Sequence, residues 1–172
     1  MLAYVFFHHP AQGAELRSYE EGLRRFHVAL ADEKPAGFMS SSTYRIEGAY
    51  SDWYLLENSA ALDPLNLAAV SGQAQAVHSV VANMATDFAG KLFTLVAGQL
   101  ESHDFEIRFS KPAGTSYRDL YERLKPWIGR EGVSLWRRMM VLGPAPEFCL
   151  LSPIDLALPL EMSPRTYSCD VV

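Results

Sequence analysis

Apolar and polar positions follow two different periods along this chain, and the switches between them mark its elements. Ala3 to His9 is an unbroken run rich in Val and aromatic residues, which predicts a strand. Pro10-Ala11-Gln12-Gly13 breaks it. Leu16, Tyr19, Leu23, Phe26 and Leu30 then recur at helical spacing, while Glu15, Arg17, Glu20, Glu21, Arg24 and Arg25 cover the other face. This predicts a helix from about Ala14 to Ala31, closed by Asp32-Glu33-Lys34-Pro35. Phe38 to Glu47 and Asp52 to Glu57 read as strands, and the short connection Gly48-Ala49-Tyr50-Ser51 makes them an antiparallel hairpin. Asp63-Pro64 opens a second helical region, with Asp63 as its cap and an apolar stripe of Ala74, Val77, Val81, Met84 and Phe88; Gly72 is its expected interruption. Lys91 to Ala97 reads as a fourth strand, giving the order β-α-β-β-α-β of a ferredoxin-like unit.

After Gly98 the pattern starts again. Phe105 to Phe109 is a strand, and Tyr117, Leu120, Leu124 and Trp127 mark a helix that Pro126 strains near its end. Val133 to Leu142 and Phe148 to Leu151 are strands. Gly37 to Gly48 has a counterpart in Gly132 to Gly143, and Leu55, Leu56, Pro64 and Leu65 have counterparts in Leu150, Leu151, Pro159 and Leu160. Such internal similarity constrains a fold more than a single motif does. The expected organisation is a unit over 1–100 and a partial repeat over 101–172 with a C-terminal tail, together one compact domain. The tail from Glu161 to Val172 looks too short for both a helix and a strand, so the second sheet is left with an edge that the tail or a second chain must cover.

Composition narrows the function classes. With 172 residues a real core can be buried, and no segment is apolar for long enough to span a membrane. The net charge of -5 with no basic run argues against nucleic acid. The N-terminal segment lacks a basic leader, so the expected location is the cytoplasm. Cys149 and Cys169 have no metal-type spacing; no disulfide is needed, and neither metal nor cofactor is expected.

The element order, with Asp52-Trp53-Tyr54-Leu55-Leu56-Glu57 followed by a helix and then Lys91-Leu92-Phe93-Thr94-Leu95-Val96, resembles the dimeric α+β barrel superfamily. That superfamily includes antibiotic-biosynthesis monooxygenase-like proteins, stress-responsive barrel proteins and small cyclases and isomerases. The resemblance implies an α+β fold of antiparallel sheets, a homodimer, and a cavity for an apolar, often aromatic molecule. Many such proteins work without a cofactor, and others bind haem. Here no histidine context marks an axial ligand.

Candidate chemical residues are few. His8 and His9 end the first strand, and alternation puts them on opposite faces, Tyr4, Phe6 and His8 on one and Val5, Phe7 and His9 on the other. Either histidine can move a proton near neutral pH; equally, both can be strand-end polar residues. Ser40 and Ser42 leave room and supply donors, and Tyr44, Tyr54 and Arg45 can orient a bound molecule; a solvated strand face explains them as well. Arg137 and Arg138 suit a carboxylate or a protected sheet edge. His78 falls off the apolar stripe, and His27 and His103 read as exposed. Two functions follow: a barrel protein binding a small apolar molecule, and a cofactor-independent monooxygenase, cyclase or isomerase using His9 or His8. A partly polar cavity with a histidine in reach of a tyrosine or carboxylate separates the second from the first.

Overall fold

The computed structural model describes residues 1–99, 101–140 and 145–172. It is an α+β chain divided into two compact units, Met1–Leu92 with Asp170–Val172, and Phe93–Cys169. Among the described residues no helix is long and apolar enough to cross a membrane.

The first unit contains β1 (Leu2–Pro10), α1 (Leu16–Glu33), β2 (Phe38–Ile46), β3 (Ala49–Leu56), α2 (Leu62–Ser71), α3 (Gln75–Ala82) and the first part of β4 (Ala85–Ala97). Its strands are ordered β4-β1-β3-β2, the ferredoxin-like arrangement, and a two-residue strand, β9 (Asp170–Val171), adds to β2. β1 pairs antiparallel with β3, which sets Tyr4 opposite Tyr54, Phe6 opposite Asp52 and His8 opposite Tyr50. That register assembles the site described below.

Glu15 caps α1, its carboxylate accepting from the Arg17 and Ser18 amides at 3.0 and 2.7 Å. Lys34 closes the helix in the left-handed region, and its amide returns to the Leu30 carbonyl. The helix buries Tyr19, Leu23, Phe26, His27 and Leu30. The β2–β3 hairpin turns on Glu47 and Gly48, not on Gly48 to Ser51 as expected, so β3 begins at Ala49. Both turn residues have positive φ, 47° and 83°, the requirement of a type I′ turn whose twist matches the strands. A Cβ at Gly48 meets open space, so Gly48→Ala carries only the left-handed backbone cost, about 1 kcal/mol in a urea unfolding series.

The second helical region agrees with the sequence reading at one point and corrects it at two. It splits at Gly72 into α2 and α3, the interruption expected there. Asp63 is not its cap, because α2 starts one residue earlier, at Leu62; Asn58 instead caps the preceding 3₁₀ turn through the Ala60 amide at 2.9 Å. Phe88 belongs to β4, which begins at Ala85, not Lys91. The β4–β1 pairing overrides the helical spacing of Met84 and Phe88.

The second unit contains β5 (Phe105–Phe109), α4 (Tyr117–Ile128), β6 (Ser134–Arg138), β7 (Phe148–Ser152) and β8 (Arg165–Ser168), with β4 from Phe93 onward. Its strands are ordered β8-β5-β7-β6-β4, so β5, β7 and β6 follow one another as β1, β3 and β2 do. Pro126 lies within α4. β6 ends at Arg138; Leu142 and Gly143, expected at the end of this strand and of the repeated segment, lie outside the described residues. No long helix follows β7. A 3₁₀ turn at Leu160–Met162 stands there, and Leu156, Leu158 and Met162 fill the core beside Leu120, Leu124 and Phe148. This economy leaves residues enough for β8, which pairs with β5. The tail therefore has no room for a long helix and a strand together, as expected, and of the two covers expected for the sheet edge it is the tail that pairs with β5. β6 pairs with both β4 and β7, so Arg137 and Arg138 are not edge charges. Arg138 is buried, and Arg137 donates to the Tyr121 hydroxyl at 3.1 Å.

Candidate active site

Between α1, α2 and α3 and the β4-β1-β3 face of the first unit lies a cavity of about 590 Å³. Leu23, Phe26, Leu30, Leu65 and Val81 make its apolar walls. Exposed lining residues Asp63, Asn66, Val70 and Phe88 mark its mouth. Away from the mouth, the polar lining consists of Tyr4, His8, Tyr19, Asp52 and Tyr54 on one side, with His78 on α3. This size, with few polar groups converging in an apolar shell, suits a small organic molecule.

The polar groups converge on Asp52, only 3% exposed in the middle of β3. A carboxylate buried this far persists only when its oxygens are hydrogen-bonded. Here Oδ2 accepts from His8 Nε2 at 3.1 Å and from the Tyr54 hydroxyl at 3.2 Å, and Oδ1 accepts from the Thr43 hydroxyl at 2.7 Å. His27 Nε2 stands 3.6 Å from Oδ1, and the Thr43 hydroxyl, 2.7 Å from that nitrogen, bridges the two. The Ser41 hydroxyl lies 2.6 Å from His27 Nδ1. Two relays therefore end on one carboxylate: Tyr19–His8–Asp52 and Ser41–His27–Thr43–Asp52.

Donor and acceptor matching sets the protons. Asp52 can only accept, so His8 carries hydrogen on Nε2, and its Nδ1 accepts from the Tyr19 hydroxyl, its close partner. Burial by itself pushes the Asp52 pKa up, but the donors from His27 and His8 outweigh it and hold the carboxyl below the usual carboxylate range. The phenols shift the opposite way: burial, then the Asp52 charge, raises the pKa values of Tyr4, Tyr19 and Tyr54. Burial lowers the His78 pKa, which keeps that ring neutral against Phe26. The site thus holds one fixed negative charge, three neutral phenols and a histidine with an acceptor nitrogen beside the cavity.

The structure separates the residues singled out in the sequence. His8 is 2% exposed and lines the cavity; His9, on the other face of β1, is exposed and does not. Tyr54 lines the cavity and binds Asp52. Ser40, Ser42 and Tyr44 alternate with Ser41 and Thr43 and so point away from the cavity; Ser40 is exposed and Tyr44 buried. Arg45 lies outside the cavity and pairs with Glu20 and Asp170, each at 3.1 Å. Two histidines read as exposed are buried: His27 at 8% and His103 at 1%. His78 is half-buried at the cavity wall rather than solvated. The signal for His27 was its spacing, four residues after Leu23 and three before Leu30, on the apolar stripe of α1. Asp52 and Thr43 also join the site, and an acid between Tyr50 and Tyr54 in a largely apolar strand is the signal that calls for partners.

No protein-family model matches the sequence, and no curated protein sequence does. Solved structures do. A candidate monooxygenase from Lactobacillus acidophilus NCFM matches with a TM-score of 0.59 at 10% identity, over 99% of this chain and 93% of that one. An anthrone oxidase-like protein matches with a TM-score of 0.60 at 9% identity, over 99% and 91%. A candidate chlorite dismutase matches with a TM-score of 0.53 at 12% identity, over 98% and 79%. At these identities the likeness is one of backbone path and not of chemistry. By backbone path, the chain shares the α+β fold of these three structures over nearly its whole length.

Proposed function

We propose that the cavity of the first unit is the active site of a cofactor-independent enzyme that takes a proton from a small, apolar, aromatic substrate, in the manner of a monooxygenase. The observation that carries this reading is the Tyr19–His8–Asp52 chain at the cavity wall. A merely ligand-binding pocket has no need of a buried histidine backed by an ionised carboxylate, an arrangement that costs desolvation.

His8 Nδ1 is the base. Tyr19 stands on it and passes the proton: its phenol releases one hydrogen to Nδ1 as it takes another from the substrate, and stays neutral at both ends. Asp52 stabilises the imidazolium across Nε2–H, as a carboxylate does in a triad. Tyr54 and Tyr4 supply hydroxyls for a substrate oxygen, and the apolar walls hold its rings. Loss of a carbon-bound proton leaves a carbanion that dioxygen can oxidise. One oxygen atom ends in the product carbonyl and the other leaves as water; the substrate carbon supplies the electrons, so no added reductant is needed. The name of the anthrone oxidase-like neighbour supports a tricyclic aromatic ketone as the first substrate to try. The polar groups of the site come from a single chain, so the reading holds for a monomer and for the homodimer expected from the resemblance. The common order of β1, β3, β2 and of β5, β7, β6 supports descent of the two units from one duplicated module.

The test is oxygen uptake with anthrone as probe, alongside native mass spectrometry for retained ligand. Wild type should consume oxygen in proportion to quinone formed. His8→Ala should lose about 10²- to 10⁴-fold in turnover while still binding the probe. Equal turnover in His8→Ala removes the histidine from the reaction. Binding without turnover by wild type across related ketones favours the ligand-binding function instead.

A further inference from the structure

The second unit holds a cluster of reactive side chains that the proposed reaction does not use. His103 lies on the segment entering β5, Glu106 on β5, and Cys169 directly after β8. Each offers one ligating atom, and these atoms all lie within 4.8 Å of one another. All three residues are buried, at 1%, 0% and 4% exposure. The backbone fixes their approach. The Cys169 amide donates to the Asp104 carbonyl at 2.7 Å, and the Asp104 amide to the Ser152 carbonyl at 3.1 Å.

The carboxylate of Glu106 is oriented. Arg108 Nε and Nη2 both donate to its Oε2, at 3.1 and 2.6 Å. The other oxygen, Oε1, faces His103 Nε2 at 3.8 Å. That is long for a hydrogen bond but near the separation of two ligands on one tetrahedral ion, about 3.3–3.8 Å for bonds of about 2.0–2.3 Å. Imidazole, carboxylate and thiolate together suit a borderline-soft cation; magnesium and calcium take oxygen donors.

The geometry points to a Zn²⁺ site formed by His103, Glu106 and Cys169, with water in the fourth position. His103 and Glu106 stand three residues apart, but Cys169 comes from the far end of the unit, which is why no cysteine or histidine spacing announces the site. Bound metal ties the segment after β8 to the start of β5, and its role is to stabilise the second unit.

The test titrates the full-length chain, freed of metal by chelator, with Co²⁺ and then Zn²⁺. One cobalt ion per chain should give a thiolate-to-cobalt charge-transfer band that Zn²⁺ abolishes, and Zn²⁺ but not Mg²⁺ should raise the thermal midpoint. Cys169→Ser should lose the band, Cys149→Ser should keep it, and His103→Ala should weaken binding by at least about tenfold, since even second-sphere changes cost about 10- to 100-fold. Absence of the band in wild type overturns the proposal whether or not the variants fold. So does a band that survives Cys169→Ser or vanishes only in Cys149→Ser.

Discussion

Replacing Asp52 with Asn should cost about 3 kcal/mol of stability and lower turnover at least about 100-fold, a double penalty expected of no peripheral residue. The carboxylate accepts from His8, Thr43 and Tyr54 while 3% exposed. An amide of the same shape offers one acceptor oxygen and adds two donors where donors already face it. The one remaining oxygen cannot accept from both the His8–Tyr54 side and the Thr43 side, and no charge is left to stabilise the His8 imidazolium. Acid should expose the same dependence. The folded chain holds the Asp52 carboxyl below the ordinary carboxylate range, whereas unfolding returns it to about 3.9. A depressed folded pKa contributes stability that is complete above the unfolded pKa and is lost as pH falls toward the folded one. Wild-type stability should therefore decline below about pH 4, and Asp52→Asn should flatten that limb. Urea unfolding between neutral and acidic pH checks both points; parallel acid limbs for the two proteins would remove Asp52 from the account.

Among the described glycines of the second unit, Gly98→Ala should be the most damaging substitution, at about 3 kcal/mol or more. Gly98 follows β4 with φ of 79°, where any side chain is strained. A Cβ there would lie 2.1 Å from the Val133 carbonyl oxygen and 2.9 Å from the Ser134 Cα. Both are backbone atoms at the start of β6, so no rotamer change relieves the clash, and the β4–β6 pairing must open. Gly48→Ala, with similar φ and open space, separates backbone strain from collision. Comparable unfolding midpoints for the two variants would show that the approach of Val133 is soft.

The elements with strong periods were legible. β1, α1, β5 and α4 lie within a few residues of where their apolar patterns put them, because burial on one face dictated both pattern and element. The failures share a cause: contacts distant in sequence. Ala85 to Gly90 has no strand pattern of its own and extends because β1 lies beside it. β8 depends on β5 in the same way. In the site, strand alternation correctly placed His8 with Tyr4 and Phe6, yet the hydroxyls chosen were one position off. Ser41 and Thr43, not Ser40 and Ser42, reach His27. Alternation gives two faces but not which one meets a helix; the Thr43–Asp52 register on β3 decided it. Asp52 and His27 were each visible as a polar residue in an apolar pattern, and each made sense only once the other was beside it.

The most direct measurement of the central claim isolates proton transfer from oxygen chemistry. The probe ketone, held without oxygen in D₂O with the protein, should exchange its acidic carbon-bound hydrogen for deuterium, as read by mass spectrometry. Tyr19–His8–Asp52 predicts rapid exchange by wild type and near-background exchange by His8→Ala and Asp52→Asn. Exchange that is absent in wild type despite bound probe, or unchanged in both variants, would contradict a buried proton relay at this cavity.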